Sequence, residues 1–444
     1  MLKQATFPGG VHPPDSKEAT RDKQIETLQL PSRVILPLQQ HIGAPLECVV
    51  AKGDEVSLGD IVARATGFVS VPLHATLSGT VKDVGSYMHP AGLAMEAVVI
   101  ESDGEDTWAD GVLCERDWRG LDSDELKKLI REAGIVGLGG AAFPTHVKLS
   151  PPADKTIDTF LVNGAECEPF LNADYRQMME RAGELIEGIK ILIKILGCER
   201  TLVAVEDNKP AALEKLDSLL AGEQDIAVAP LRTKYPQGGE KQLVEALTGR
   251  HVPSGGLPMD VGCLIQNVST ILSVFDAVTK GRPLLDKVVT VAGASGNPGN
   301  YLVRIGTPVE EVLTQVEGEI PENLGKVIMG GPLMGLALPG LDVPVLKGTN
   351  GLVLMEHPVP VPVHEPCIRC GRCVDTCPVR LVPCELALFA ENERWDKCRE
   401  YHVMDCIECG SCSYTCPAGR NLVQLIRFGK YTVMSEDKQK KDKK

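Results

Sequence analysis

The sequence predicts a multidomain α/β protein: a β-rich N-terminal unit, an α/β layer domain, a small α+β unit and a helical, cysteine-rich C-terminal domain. Three observations carry this reading. At 444 residues the chain exceeds what a single hydrophobic core usually holds. Short β-branched runs give way to alternating helix and strand patterns, and then to strands again. Ten of the fifteen cysteines fall between Cys367 and Cys416, a clustering that suits metal better than a disulfide framework spread through a small chain.

Composition excludes several classes. The net charge of −14 disfavours non-specific nucleic-acid binding, and 4% aromatics leaves few stacking platforms. No run reaches the eighteen or so apolar residues of a membrane span; the most apolar helical stretch, residues 186–196, is broken by Lys190 and Lys194. The start, Met1-Leu2-Lys3-Gln4, lacks an apolar signal core. These features predict a cytoplasmic protein whose membrane role comes through partners.

Residues 1–32, with Gly9-Gly10 and Pro13-Pro14, read as an extended arm. Over residues 33–115, glycine turns (Gly53-Asp54, Gly59-Asp60, Gly79) punctuate short β-branched runs. The pattern resembles the biotinyl/lipoyl-type barrel, but without an evident carrier lysine; His74-Ala-Thr-Leu-Ser78 stands near that place. Residues 116–286 alternate helices with short buried strands, among them strand 160–162 and helix 182–196. Residues 287–345 return to strands around one helix, with Thr307 placed to cap it and Pro308 in its first turn. A linker over 346–365 contains Pro358-Val-Pro-Val-Pro-Val363, and the lysine-rich tail 435–444 reads as disordered.

The strongest motifs lie in residues 366–434. Cys367-Ile-Arg-Cys370-Gly-Arg-Cys373-Val-Asp-Thr-Cys377-Pro378 and Cys406-Ile-Glu-Cys409-Gly-Ser-Cys412-Ser-Tyr-Thr-Cys416-Pro417 both follow C-x2-C-x2-C-x3-C-P. That is the run of two-cluster [4Fe–4S] proteins, in which the fourth cysteine ligates the other cluster. The expected sets are Cys367, Cys370, Cys373 and Cys416 for cluster one, and Cys406, Cys409, Cys412 and Cys377 for cluster two. Gly371 and Gly410 allow tight turns around each cluster. Zinc favours separated ligand pairs and fits poorly. Cys384 and Cys398 fall outside the spacing and read as packing residues.

Clusters carry one electron at a time, so a hydride-linked source calls for a flavin. Gly137-Leu-Gly139-Gly140-Ala-Ala142 matches G-x-G-x-x-A but follows a helical pattern, so it is no Rossmann fingerprint. Glycine N–H groups, a helix start at Phe143-Pro144-Thr145 and nearby Lys148 still make an anion site. After strand 160–162 come Asn163, suited to a flavin edge, and Glu166 and Glu168, suited to ribose hydroxyls or a nicotinamide carboxamide. A solvated acidic turn is the plain alternative for these acids. Tyr235-Pro-Gln-Gly238-Gly239-Glu240-Lys241 opens another helix, and Asn267 lies in Ile265-Gln-Asn-Val-Ser-Thr270.

Together, G-x-G-G-A-x-F-P-T-x-x-K, N-x-x-E-x-E-P, Y-x-x-G-G-E-K and Q-N-V-x-T resemble the FMN/NADH-binding flavin subunit of respiratory complex I. The start Gly9-Gly-Val-His-Pro-Pro14, the phrase Asn163-Gly-Ala-Glu-Cys-Glu-Pro169 and the paired cluster motifs make the RnfC family of the Rnf complex the closer resemblance. It implies a barrel-sandwich domain, a Rossmann-like FMN domain, a β-grasp SLBB domain at 287–345 and a dicluster ferredoxin domain. It further implies FMN held by Gly137, Gly139, Gly140, Lys148, Asn163 and Asn267, with Tyr235, Gly238, Gly239 and Glu240 as a further lip. NAD(H) would then lie near Phe143, Glu166 and Glu168. Leu138 and Ala142 depart from the arginine and glycine of the complex I flavoproteins. The implied activity is ferredoxin:NAD+ oxidoreduction at the cytoplasmic face of the membrane, alongside a cluster-bearing subunit, integral membrane subunits and, indirectly, ferredoxin. A corrinoid reductase of similar domain order, or a cluster-only relay without nucleotide, are the alternatives.

Overall fold

A computed structural model describes residues 4–357 and 365–442. The whole Pro/Val-rich stretch read as part of the linker, 358–363, lies outside the described residues.

The β-rich unit folds as two facing sheets. Arg33–Pro37, Ala94–Ser102, Gly79–Met88 and Glu55–Val56 form an antiparallel four-stranded sheet, and Glu47–Cys48, Ile61–Arg64 and Leu73–His74 a three-stranded one. The repeated Gly-Asp turns share one local cause. Asp54 accepts from Ala51 N–H at 2.8 Å and Asp60 from Ser57 N–H at 2.7 Å, so each aspartate closes the turn that its glycine permits. At Gly79 a Cβ would stand 1.9 Å from the Glu101 carbonyl oxygen, so no other residue fits. The segment from His74 to Ser78 is buried, and Thr76 donates to the Ile305 carbonyl at 2.6 Å. This place is packed against a neighbouring domain.

In the α/β domain the strands Ile226–Leu231, Arg200–Glu206, Thr159–Gly164 and Cys263–Asn267 lie side by side in that order, all parallel. Their runs are apolar because helices cover both faces. The helix Ser123–Glu132 starts as its acidic first turn predicts: Asp122 and Glu125 form a capping box. The helix Ala182–Leu196 buries Leu185, Ile189 and Leu192 despite its two lysines, and ends on left-handed Gly197.

The third unit is a six-stranded sheet with the helix Val309–Glu317 packed on it. Two of its strands come from outside the expected 287–345. Ile25–Thr27 of the arm pairs in parallel with Gly299–Arg304 at one edge, and Gly351–Glu356, read as linker, lies centrally beside Asp286–Gly293. Leu352, Val353 and Leu354 are buried, which is why this short apolar run joins the sheet. Thr307 does not cap the helix; its hydroxyl donates to the Arg304 carbonyl, and Pro308 occupies the cap position.

The arm is an inter-domain strap. Ala5 bridges to Leu231, Val11 to Tyr235, and Gly10 N–H donates to the Thr376 carbonyl. In the cysteine-rich domain, a short helix lies within each run, Arg372–Asp375 and Ser411–Tyr414, and Pro383–Glu391 packs against the long helix Leu422–Asp442. That helix continues through most of the tail expected to be disordered. Lysine, glutamate and glutamine are good helix formers, and Arg399 ties Glu436 and Asp437 at 2.8 Å each. Among the described residues no helix is long and apolar enough to cross a membrane.

Candidate functional site

Chain order in the parallel sheet brings the dispersed glycine and polar segments together. The loop at Gly137 follows a helix, as its sequence context implies, and is fixed from behind. Gly137 N–H donates to the Phe143 carbonyl, Leu138 N–H to the Thr270 hydroxyl at 2.8 Å, and buried Lys287 donates to the Leu138 carbonyl at 2.7 Å. Gly139 and Gly140 are exposed, and their N–H groups make no hydrogen bond among the described residues. Gly139 rests on the Asn267 side chain, where a Cβ would stand 3.4 Å away.

Asn163, at the carboxyl end of the strand Thr159–Gly164, donates to the Gly238 carbonyl at 2.9 Å and accepts from Ala165 N–H. It pins the second glycine lip to the strand end, while its amide keeps further donor and acceptor capacity. Gly238 is confined: a Cβ would come 2.4 Å from the Ala165 carbonyl oxygen. Lys148 forms an ion pair with Glu240, joining the first glycine loop to that lip. Asn267 accepts from Thr270 N–H, capping the helix Val268–Lys280, and donates to Asp174 at 2.6 Å. These contacts draw Gly137 to Gly140, half-buried Phe143, Lys148, Asn163, Gly238 to Glu240 and Asn267 together at the carboxyl end of the parallel sheet, the candidate cleft.

The two glutamates are committed elsewhere. Buried Glu166 accepts from Asp174 and Tyr175 N–H, holding the start of the helix Ala173–Glu180. Burial pushes its carboxyl up, opposed by Lys17, whose ammonium reaches in from the arm to the Glu166 and Leu171 carbonyls. Glu168 accepts from Leu333 and Met334 N–H, at 3.0 and 2.9 Å. Each carboxylate spends two of its acceptor sites on backbone N–H groups and keeps the others. Tyr235 faces away from the cleft. It is 1% exposed, and its hydroxyl donates to the Cys409 carbonyl at 2.7 Å, with Glu168 at 3.5 Å.

That tyrosine joins the cleft to the cysteine runs. Gln242, in the first turn after Glu240, donates to the Pro378 carbonyl at 3.2 Å, and Gly9 of the arm lies against the Cys377 carbonyl. Cys406, Cys409, Cys412 and Cys377 face one another: burial pushes the Cys412 thiol up to about 12, and Cys409, Cys406 and Cys377 add to it. Cys377 is thus the thiol of the other run that lies near these three. Among the described residues no three His, Cys, Asp or Glu side chains converge as single-ion ligands. The two runs share one backbone path: Gly371 and Gly410 have φ of 79° and 76°, Arg369 and Glu408 56° and 57°. Cys398 is fully buried as packing, and Cys384 lies beside Cys373.

Sequence reasoning passed over the roles of Lys17 and Lys287. Lys287, near the head of a largely apolar strand, carried the one local signal; Lys17 acquires its role only through contacts more than a hundred residues distant.

Comparison with known proteins agrees with this layout. Residues 130–276 match the Nuo51 FMN-binding domain, residues 5–105 the RnfC barrel sandwich hybrid domain, and residues 364–380 and 404–419 a 4Fe-4S binding domain. The fold is similar to that of an NAD+-reducing [NiFe]-hydrogenase chain in its air-oxidized state, with a TM-score of 0.50 and 19% identity over 63% of this chain and 54% of that one. The chain is 48% identical to the RnfC-type component of the proton-translocating ferredoxin:NAD(+) oxidoreductase complex of Clostridium ljungdahlii, covering 96% of this chain and 93% of that protein. It is 45% identical to the corresponding component of the Na(+)-translocating ferredoxin:NAD(+) oxidoreductase complex of Acetobacterium woodii, covering 98% of each. Identity of this degree over nearly the full length of both relatives establishes that the chain belongs to the RnfC family of ion-translocating ferredoxin:NAD(+) oxidoreductase complexes.

Proposed function

We propose that this chain is the flavin and iron–sulfur subunit of an Rnf-type ferredoxin:NAD+ oxidoreductase, exchanging electrons between NAD(H) and the other subunits of the complex from the cytoplasmic face of the membrane. The parallel strand order, third-second-first-fourth in the chain order of the domain, supports a Rossmann-like reading of the flavin domain. The six-stranded unit reads as the β-grasp SLBB domain.

The residues present fit the groups the family uses. Two unpartnered glycine N–H donors beside Lys148 suit the phosphate of FMN, and four thiols drawn from two runs suit a cubane. The interchange of a hydride for single electrons is supplied by bound FMN, and one-electron transfer by the clusters. The chain's own work is to bind and orient. Asn163 fixes the distance between the two glycine lips, Lys148 balances the phosphate, and Phe143 offers an apolar face to the nicotinamide. Cys367, Cys370, Cys373 and Cys416 would hold cluster one; Cys406, Cys409, Cys412 and Cys377 cluster two.

The observation that carries the reading is the hydrogen bond from Tyr235 to Cys409, which makes the flavin lip and the cluster-two loop one packed unit. Cluster two is then the neighbour of the flavin. Cys367 and Cys370 are exposed, so cluster one faces the partner subunits. Relatives coupled to protons and to Na+ are almost equally similar to this chain, which supports a choice of ion made in other subunits.

Anaerobic purification followed by NADH addition tests the function. We expect extractable FMN, two [4Fe–4S] clusters, and loss of both flavin and cluster absorbance on NADH addition. Iron and sulfide without flavin, and clusters that NADH does not bleach, would reduce the protein to a relay.

A further inference from the structure

Lys287 is a buried cation whose position the flavin chemistry has so far left without a role. It heads the strand Asp286–Gly293 in the six-stranded domain, is 4% exposed, and makes no ion pair among the described residues. Its ammonium donates to one group, the Leu138 carbonyl, across a separation of 149 residues. Burial pulls its pKa down to about 8, with Asp174 and Glu166 opposing. An isolated buried ammonium is costly to fold around. A well-packed apolar residue would fill the same space without that cost.

The peptide unit that it holds explains the placement. In a trans peptide the carbonyl and the following N–H point in opposite directions. A cation behind the Leu138 carbonyl therefore aims the Gly139 N–H away from Lys287, on the open side of the loop. The same residue is bolted a second time, because Leu138 N–H donates to the buried Thr270 hydroxyl. Among the described residues Gly139 N–H and its neighbour Gly140 N–H have no partner, as is also true of the N–H groups of residues 141–143. Polarisation of the peptide by the ammonium makes the first of these a stronger donor to an anion.

Resting on the flavin reading above, we propose that Lys287 is a positioning residue for the phosphate of FMN, acting through the Leu138–Gly139 peptide without touching the ligand. The six-stranded domain thereby contributes a residue to the flavin site of its neighbour.

The test compares FMN with riboflavin, which lacks the phosphate. Full-length protein, purified with its clusters and stripped of flavin, is titrated with each by fluorescence quenching, for wild type, Lys287→Met and Lys287→Arg. We expect Lys287→Met to bind FMN at least tenfold more weakly, to bind riboflavin as wild type does, and to keep its iron content. Lys287→Arg should recover most of the FMN affinity. Unchanged FMN affinity in Lys287→Met overturns the proposal, as does an equal loss for FMN and riboflavin, which would mark a general packing defect. Wild-type protein that binds neither flavin would defeat the flavin reading itself, a different outcome. Should Lys287→Met misfold, Thr270→Val removes the second bolt on Leu138, the one at its N–H in the preceding peptide, and the same selective loss is expected.

Discussion

Ala142 shows at the residue scale how far a motif can be read. It occupies the place where complex I flavoproteins usually carry glycine, and its φ is 48°, in the left-handed region that side chains avoid. Its carbonyl accepts from Ile42 N–H and its methyl lies near Gly348, so the barrel and the segment leading into the last strand of the six-stranded sheet both hold it there. A left-handed alanine costs roughly 1–2 kcal/mol, and glycine's larger unfolded-state entropy offsets part of that. We expect Ala142→Gly to stabilise the protein by about 1 kcal/mol, read as a higher urea midpoint; an equal or lower midpoint would show that the methyl contact outweighs the strain. The glutamates teach the converse. Sequence shows that Glu166 and Glu168 stand at a strand end, but not that backbone N–H groups from elsewhere reach them first.

Among the elements, the cysteine runs are the most legible, because their spacing is set by the cluster they wrap and not by the rest of the fold. The repeat extends to the positive φ of Gly371 and Gly410. Crossed ligation makes a sharp prediction. Cys377→Ser, although in the first run, should remove the cluster whose other thiols are Cys406, Cys409 and Cys412, cutting iron by about half. Electron paramagnetic resonance on the reduced variant should then show the signal of cluster one alone. Survival of both signals would mean that each run serves its own cluster. The strands were harder to assign. Gly351–Glu356 is a short apolar run beside a proline-rich stretch, and only its pairing with Asp286–Gly293 makes it a central strand.

Across the whole molecule, the domains meet at a junction of buried bases. Lys347 is 1% exposed, donates to the Gly134 carbonyl at 2.8 Å, and lies near His74 of the barrel. Burial lowers Lys347 from 10.5 to about 7, and His74 to about 3, with Lys347 adding to the effect of burial there. The sign follows from proton counting. Between about pH 7 and 10.5 the unfolded chain binds the Lys347 proton more tightly than the folded one, so stability rises with pH across that window and falls on return toward 7. His74 is neutral throughout it. We expect Lys347→Met to flatten the rise in unfolding free energy between pH 7 and 10, an effect on the order of a few kcal/mol. An identical slope in wild type and variant would show that Lys347 does not titrate on folding. The arm belongs to this scale as well, since it touches the flavin domain, the six-stranded sheet and the cluster domain in turn.

The sequence by itself determined the groups this protein carries and the order of its domains. Thiolate spacing, glycine turns and strand periodicity are local, and local geometry is written in neighbouring residues. Only the tertiary structure decided which polar groups remain free to meet a ligand. Asn163 bonds the second glycine lip, Glu166 and Glu168 each hold two backbone N–H groups, Tyr235 turns to the clusters, and Lys287 and Lys17 cross domain boundaries to buried carbonyls. The physical reason is that buried polar groups must find partners, and for Lys17, Lys287 and Tyr235 those partners lie more than a hundred residues away.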